Sequence, residues 1–413
     1  MARIDNINTL FAPLDLKVDE VIKGAQSIKY KLNLPLDLKA QGKIKRAEST
    51  IKYALPSALN TNEFSFWRDK NAIYIECKSD EFQVVKFEEY ITRLPKDGYY
   101  LLLGADTDGK PTFTNLRKAP HILVAGTTGS GKSELLHTFI ASLIYRRKAN
   151  PCEIVIIDPK RAEFSMYKNK NGVYLITEVD DAIDRLKELC EIMEDRYRMI
   201  EHKGVKDIKD LNDPSTLPIV VVIDELKDLL DQSKQAEKYI VRLAQKARAC
   251  GIHLILGTQT PRADVVTGGI KANVPTRIAL ATTNSIESRI ILERNGAEHL
   301  FGNGDMLVLG NGKLELVRVQ GAYINNNLKK DLADCIPYEE HKPTPKEKPA
   351  EDIYQHYMDK GIDLKESEEW LDNQPKPEPK ESEKKAKRKH VSFFNVFKLR
   401  PIMFQSEDYP HNI

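Results

Sequence analysis

Residues 126–133 combine glycines, a lysine and a serine at the spacing of a phosphate-binding loop. The stretch consists of Gly126, Thr127, Thr128, Gly129, Ser130, Gly131, Lys132 and Ser133, a complete G-x-x-x-x-G-K-S motif. Glycine lets backbone N–H groups wrap a triphosphate because no Cβ stands in the way. The motif therefore predicts ATP binding, with Lys132 reaching the β- and γ-phosphates and the Ser133 hydroxyl ligating Mg²⁺.

The residues around this loop predict a strand before it and a helix after it. His121 to Ala125 is an apolar run typical of a buried strand. After the loop, apolar residues recur at helical spacing, at Leu135, Leu136, Phe139, Ile140, Leu143 and Ile144. The N-terminus of that helix would point at the phosphates, which favours a nucleotide site over a chance match.

Two carboxylates follow a second apolar run. Ile219 to Ile223 is rich in β-branched residues and ends in Asp224 and Glu225, as a central parallel strand presents acids at its carboxyl end. We expect Asp224 to hold Mg²⁺ through a bound water, and Glu225 to orient and deprotonate the attacking water. Gln259 ends the next apolar strand, where a neutral amide suits a sensor of the γ-phosphate; a single strand-end glutamine also occurs without any function.

Arg248 lies in a predicted helix, 237–249, that stops at Gly251. A helical arginine is usually a solvated surface residue. At this position, however, a neighbouring subunit could receive it as an arginine finger. The residues alone leave both interpretations open.

Composition limits the class of protein. The chain has 413 residues, a formal net charge of +2, and five cysteines without a C-x-x-C pair, which argues against a zinc site and a disulfide framework. The cysteines fit a reducing compartment. The sequence contains no run of about 18 apolar residues, which a membrane-spanning helix would need. We expect a soluble, cytoplasmic protein in which any DNA-binding surface is local.

The patterns predict four regions. Residues 1–24 are an N-terminal extension with weak signals, and 25–118 form a small α+β subdomain that includes a basic helix at 39–59. Residues 119–338 alternate strands and helices, which indicates an α/β fold with a mostly parallel sheet covered on both faces. Residues 339–413 are rich in Pro, Lys and Glu and are expected to be largely disordered.

The C-terminal region ends in a basic and aromatic segment. Five cations at 384–389 directly precede Phe393, Phe394, Val396, Phe397 and Leu399. Such a segment can lie on an anionic membrane surface or dock in a protein partner, which would place the protein peripherally at a membrane. The other interpretation is a solubilising linker with an apolar end.

Six linked motifs, in order and spacing, resemble the motor domain of the FtsK/SpoIIIE family of DNA translocases. They are HILVAGTTGSGKSELL, VIIDPKRAEFSMY, IVVVIDELKDLL, RLAQKARACGIHLILGTQTP, GGIKANVPTRIAL and SRIILERNGAEHLFGNGDML. The resemblance covers about 27–325, with the first part similar to the family's α subdomain. It implies a RecA-like fold and a homo-oligomeric, hexameric ring that hydrolyses ATP to pump double-stranded DNA. Because the phosphate site of such rings lies between subunits, it favours Arg248 as the finger acting in trans, with Arg277 as its rival.

The sequence departs from the family at several positions. Thr260 follows Gln259 where the family usually has a basic residue, and Ser285 stands where a lysine is common. Other cations are therefore the candidate DNA contacts, and such phosphate contacts bind without reading sequence. They are Arg262, Lys271, Arg277 and Arg289. The family's membrane spans and C-terminal winged helix have no counterpart in this sequence.

Together these features predict a small, ring-forming, ATP-driven translocase of double-stranded DNA that serves transfer, segregation or packaging of plasmid, phage or integrated-element DNA. Two alternatives remain. A related motor in a specialised secretion system moves protein, and a nucleotide-gated adaptor couples DNA to a partner without pumping. Intact Glu225 and Gln259 argue against the adaptor.

Overall fold

The apolar runs that the sequence places at 121–125, 219–223 and 252–257 are neighbouring strands of one large sheet. The computed structural model describes residues 2–23, 27–61, 64–68, 71–79, 83–161, 163–211, 213, 216–310 and 313–339, and the chain up to Glu339 forms one compact unit. The strands in these residues are β1 (Glu20–Lys23), β2 (Ser27–Asn33), β3 (Phe64–Arg68), β4 (Ala72–Lys78), β5 (Tyr100–Asp106), β6 (Pro111–Asn115), β7 (His121–Ala125), β8 (Glu153–Ile157), β9 (Val173–Ile176), β10 (Ile219–Ile223), β11 (Ile252–Thr258), β12 (Thr276–Leu280), β13 (Asp305–Gly310) and β14 (Lys313–Gly321). The α-helices are α1 (Ala2–Phe11), α2 (Leu38–Leu59), α3 (Phe87–Ile91), α4 (Lys132–Arg146), α5 (Val179–His202), α6 (Leu226–Gln232), α7 (Lys234–Lys246), α8 (Gly268–Asn273), α9 (Ser285–Leu292) and α10 (Asn326–Asp334).

The large sheet has the strand order β6-β5-β14-β13-β12-β7-β11-β10-β8-β9. The strands from β12 to β9 are parallel, and the remaining four extend the sheet in antiparallel fashion. The predicted α/β fold with a mostly parallel sheet is confirmed. In addition, the sheet has an antiparallel edge, formed by β13, β14, β5 and β6. All strands that carry predicted catalytic residues lie side by side in the parallel part.

Helices cover both faces of this sheet. In β7, Ile122 and Val124 join a core with the apolar face of α4, while Leu123 and Ala125 join a second core with α5 and α7. This alternation follows from the two-residue period of a strand. Because every residue of β7, β8 and β10 is buried, the charged residues that follow these strands are held on a rigid base.

A second, antiparallel sheet with the order β1-β2-β4-β3 forms the N-terminal subdomain together with α1 and α2. Residues 1–24 were predicted as an extension, and this boundary is wrong, because α1 and β1 are integral parts of the subdomain. Glu20 of β1 pairs with Lys31 of β2, and Ile7 and Phe11 of α1 are fully buried.

The predicted end of the small subdomain at 118 is also wrong. Strands β5 and β6 belong to the large sheet, where Val319 of β14 pairs with Asp106 of β5. Their partner strand lies about 200 residues further along the chain, so no local pattern could reveal the pairing.

An ionic cluster joins the two sheets. Arg318 of β14 forms ion pairs with Glu76 of β4 and with Asp305 of β13, the latter at 2.6 Å. The Ser65 hydroxyl also donates to the His299 carbonyl at 3.1 Å. The small subdomain is thereby attached to strands that continue into the predicted nucleotide site.

The expected tail, 339–413, lies outside the described residues except for Glu339, and so does its basic and aromatic segment. Within the part of the chain that the structure describes, no helix combines the length and apolar character needed to cross a membrane.

Candidate functional site

The phosphate-binding loop connects the carboxyl end of β7 to the first turn of α4. Gly131 is the residue before the helix and has φ +105°, and Gly129 has φ +79°, conformations that L side chains rarely adopt. The Gly304 N–H donates to the Ser130 carbonyl at 2.8 Å, which fixes the outer side of the loop. The N-terminus of α4 thus faces the loop, as the sequence predicts for a phosphate site.

Gly131 offers a direct test of this geometry. A Cβ at Gly131 would lie 2.6 Å from the Gly304 nitrogen and 2.9 Å from its Cα, and neither backbone atom can move alone. We expect Gly131→Ala to destabilise the fold by about 1–3 kcal/mol and to abolish the rise in melting temperature that ATP produces. The matched control is Gly109→Ala in the β5–β6 turn, with φ +76° but open space, which should keep the full ATP effect. Equal ATP effects in the two variants would contradict this account of the loop.

Lys132 and Asp224 are in contact beneath the loop. The Lys132 ammonium donates to the Asp224 side chain and to its carbonyl, both at 2.5 Å, and each residue is at most 3% exposed. A buried pair of opposite charge is stable only with such direct contacts. The structure therefore brings together the predicted phosphate-binding lysine and the predicted metal-binding acid.

The Glu225 carboxylate lies beside Asp224 and accepts hydrogen bonds at both oxygens. The Thr258 hydroxyl donates to Oε1 at 2.7 Å, and the Gln259 N–H lies 3.1 Å from both Oε1 and Oε2. The Lys160 ammonium donates to Oε2 at 3.2 Å. With Glu225 only 2% exposed, these donors fix the orientation of the predicted general base.

Lys160 was not predicted as a site residue. It follows β8, with Asp158 and Pro159, and also lies 3.7 Å from Asp228. Burial acts to lower its pKa, but the charge and hydrogen bond of Glu225 outweigh burial, so the pKa of Lys160 is raised. The acid-proline-lysine sequence at the end of a buried strand was the available signal, since the ends of neighbouring parallel strands meet at one edge.

Gln259 connects the base to the loop. Its backbone N–H contacts Glu225, and its side-chain oxygen accepts from the Thr128 hydroxyl at 2.9 Å. The predicted sensor residue therefore touches both the phosphate-binding loop and the predicted catalytic acid.

A pocket of about 600 Å³ opens over the loop. One wall contains residues of the loop together with Gln259, namely Thr127, Thr128, Gly129, Gly131, Lys132, Ser133 and Gln259. A second wall combines Asn303 and Gly304, which adjoin the loop, with segments that the sequence did not indicate, namely Val84, Val85, Gln320, Gly321, Ala322 and Tyr323. Val84 is 44% and Tyr323 is 49% exposed, so this wall presents apolar surface to the pocket.

The residues near the loop fit a magnesium ion held with a nucleotide. Ser133 lines the pocket, and the Asp224 carboxylate adjoins Lys132 next to it, so two oxygen donors of the kind that Mg²⁺ prefers are present. Within the described residues, His, Cys, Asp and Glu form no group of three or more that could bind a metal without a nucleotide. This matches the usual mode, in which Mg²⁺ takes one or two protein ligands and the phosphates.

Arg248 lies at the other end of the strands. Its guanidinium donates to the Arg117 carbonyl at 3.3 Å, just before β7, whereas the phosphate-binding loop follows β7. Five strand residues at about 3.3 Å each separate the two ends by about 16 Å, beyond the reach of one side chain. Arg248 therefore cannot serve the nucleotide of its own subunit.

Arg248 also borders a second cavity of about 460 Å³, together with Asp207, Lys209 and His253. Burial lowers the pKa of His253 to about 4, and burial with the nearby charges of His253 and Arg248 lowers the pKa of His121 to about 3. Both imidazoles are thus neutral near pH 7, and the exposed Arg248 side chain lies at this edge.

Arg277 is a buried structural residue. Its guanidinium donates to the carbonyls of Val274, Ile291 and Lys271 and pairs with Glu293 at 3.3 Å, and the residue is 7% exposed. This placement does not favour Arg277 as a trans finger or as a DNA contact.

The other three predicted DNA contacts are more accessible. The Arg262 side chain is 64% exposed and pairs with Asp264, and Arg289 is exposed on α9, where it bonds to the Ser285 carbonyl. Lys271 is half-buried in the last turn of α8.

The phosphate-binding loop follows the central strand β7, and the two carboxylates follow β10, which lies two places away in the sheet. This arrangement defines a P-loop ATPase with a RecA-like sheet order. The model of the FtsK/SpoIIIE family matches residues 87–216 and 209–263. The chain carries an ATPase domain of the FtsK/SpoIIIE family.

The chain is also similar to curated proteins that are named DNA translocases. The chain is 42% identical over 272 residues to the DNA translocase SftA of Bacillus subtilis, covering 62% of this chain and 29% of that protein. It is 36% identical over 355 residues to the DNA translocase FtsK of Haemophilus influenzae, covering 77% of this chain and 66% of that protein. The chain thus spans only part of the length of these relatives.

Two solved structures share the fold. The conjugation coupling protein TcpA of pCW3, in its monomer form with ATPγS, aligns with a TM-score of 0.58 and 24% identity, over 81% of this chain and 99% of that one. The cytoplasmic domain of the type VII secretion ATPase EccC of Thermomonospora curvata aligns with a TM-score of 0.52 and 23% identity, over 61% and 33%. At these identities the likeness establishes the fold alone.

Proposed function

We propose that this protein is an ATP-driven motor that moves double-stranded DNA as a ring of six subunits. The observation that carries the proposal is that Lys132 and Gln259 line one pocket and are hydrogen-bonded to Asp224 and Glu225, in an ATPase domain of a family whose relatives are named DNA translocases. The plasmid, phage or integrated-element DNA expected from the sequence stays part of this proposal.

In the proposed reaction, this chain's residues bind the phosphates of ATP, orient the attacking water and remove its proton. Lys132 leaves Asp224 for the β- and γ-phosphates, and the freed carboxylate with Ser133 would hold Mg²⁺, which supplies charge neutralisation. Glu225 takes the proton of the attacking water after exchanging a hydrogen bond with Lys160 or Thr258. Gln259 senses the γ-phosphate because it contacts both the loop and Glu225.

The ring places Arg248 of one subunit at the nucleotide of the next. Its position at the amino ends of the strands, opposite the phosphate-binding loop, suits a head-to-tail assembly in which one edge faces the other. In such an assembly Arg248 would stabilise the charge of the transition state in trans.

The DNA contacts of the proposal are Arg262, Lys271 and Arg289. Arg262 follows the carboxyl end of β11, and Arg289 lies on α9, which follows the carboxyl end of β12, so these two belong to segments near the catalytic edge. Lys271 lies in the last turn of α8, just before the amino end of β12. Binding through phosphates would make them independent of DNA sequence.

The nucleotide base is proposed to lie against Val84, Val85 and Tyr323, across the pocket from the phosphates. Tyr323→Ala is then expected to weaken ATP binding about tenfold, because an aromatic ring stacked on a base contributes about 1–3 kcal/mol. Binding of inorganic tripolyphosphate, measured by calorimetry, should not change. A similar loss for both ligands would place the base elsewhere.

ATPase rates with double-stranded DNA, single-stranded DNA and no DNA test the proposal. Double-stranded DNA should raise turnover, and single-stranded DNA should raise it less. An ATPase rate that neither kind of DNA changes would contradict the proposal and favour a protein cargo.

A further inference from the structure

Helix α2 carries a concentration of positive charge that the ATPase site does not use. Five cations and one acid lie within its 22 residues, whereas the whole chain has a formal net charge of only +2. Four of the cations precede Glu48, namely Lys39, Lys43, Lys45 and Arg46, and we call these four residues the basic ridge.

Three of the four ridge cations lie opposite the buried face of the helix. Ile44, Ile51, Leu55 and Leu59 face the core of the small subdomain and are at most 4% exposed. At 100° per residue, Lys39, Lys43 and Arg46 share one line on the other side, which continues through Thr50 to Tyr53. Tyr53 is 90% exposed.

The ridge cations are available for a ligand. Within the described residues, none of the four forms an ion pair, whereas Lys52 on the same helix pairs with Glu48 at 3.0 Å and lies over the Phe66 ring. Uncompensated like charges on neighbouring turns repel one another, so an anionic partner would stabilise them.

We propose that the basic ridge of α2 binds the phosphate backbone of double-stranded DNA, as a second DNA contact besides the segments near the ATPase site. From Lys39 to Arg46 the helix rises about 11 Å, which matches about three phosphates along one strand at about 3.4 Å each. Ser49 and Thr50 add exposed hydroxyls of the kind that bond phosphate oxygens.

A membrane surface suits the ridge less well. A helix that binds a membrane inserts its apolar face, and here that face is already buried in the subdomain core. Leu36 before the helix and Tyr53 near its end are exposed, but they are too few to replace such a face. The remaining surface offers charge and hydroxyl groups, which fit phosphates.

The inference rests on the proposed function, and the experiment separates the two. The full chain is compared with the variant Lys39→Gln, Lys43→Gln, Arg46→Gln and with a control of equal charge change, Lys96→Gln, Lys148→Gln, Lys168→Gln, whose exposed lysines lie in the ATPase domain. Affinity for double-stranded DNA is measured over a range of salt concentrations, with melting temperature as the check of folding.

Each phosphate contact contributes about 0.9 to the slope of log K against log salt, so the ridge variant should lose about 2 to 3 in slope. The control should keep the slope, and both should keep the DNA-independent ATPase rate. If the ridge variant and the control have equal slopes while the unaltered protein binds DNA, the inference about the ridge is overturned and the proposed function is not. Absence of DNA binding by the unaltered protein overturns both proposals. Loss of binding to phosphatidylserine vesicles, with the DNA slope unchanged, makes the ridge a membrane surface and overturns the inference.

Discussion

Replacing Glu225 by glutamine is expected to leave ATP binding intact and to lower turnover by about 10²-fold or more, the usual contribution of a general base. Glutamine keeps the shape of the side chain and can still accept from the Thr258 hydroxyl. It cannot take a proton from water, so the chemical step should slow while the pocket stays unchanged.

The measurement is steady-state turnover together with the dissociation constant of ATP. The matched control is Asp228→Asn, which removes the other carboxylate near Lys160 but lies on α6, beyond the strand end that carries Glu225. Its turnover should stay close to that of the unaltered protein. Turnover of Glu225→Gln within a few-fold of the unaltered protein would remove Glu225 from the mechanism.

Mixing two inactive variants is expected to restore ATPase activity. Lys132→Ala loses the phosphate-binding lysine, and Arg248→Ala loses the proposed finger, whose removal costs about 10³ to 10⁵ in turnover in related phosphoryl-transfer enzymes. In rings formed from an equal mixture, roughly a quarter of the interfaces combine an intact loop with an intact arginine. Activity should therefore return to a fraction of that of the unaltered protein.

The control for this experiment is Arg242→Ala on α7, the helix that ends just before Arg248, where the side chain is 53% exposed and pairs with Glu194. It should be active alone. Mixed rings of Lys132→Ala and Arg248→Ala that are shown to form, yet stay inactive, would show that Arg248 does not act across the subunit boundary.

The features that the sequence predicted are those that depend on local patterns of residues. The glycines of the loop, the acids after a β-branched run and the basic helix α2 each depend on residues within one element. The structure places Lys132, Asp224, Glu225 and Gln259 together because the strands that carry them are neighbours and parallel.

The parts that the sequence missed depend on contacts between distant segments. Strand β5 pairs with β14, Lys160 reaches Glu225, and the Tyr323 N–H donates to the Val85 carbonyl in one wall of the pocket. In the sequence Arg277 resembles a free cation, whereas in the structure its guanidinium donates to three backbone carbonyls. Such contacts are decided by tertiary packing, which the pattern of a single segment does not contain.

Movement along double-stranded DNA is the central claim, and displacement of a third strand from a DNA triplex tests it most directly. The protein is loaded on duplexes that carry a labelled third strand at increasing distances from the loading end. We predict that the strand is released in the presence of ATP, with a delay that grows with distance, and that neither ATPγS nor Glu225→Gln supports release. ATP hydrolysis that is stimulated by the duplex while the triplex stays intact at every distance would contradict translocation and leave an adaptor that hydrolyses ATP without moving.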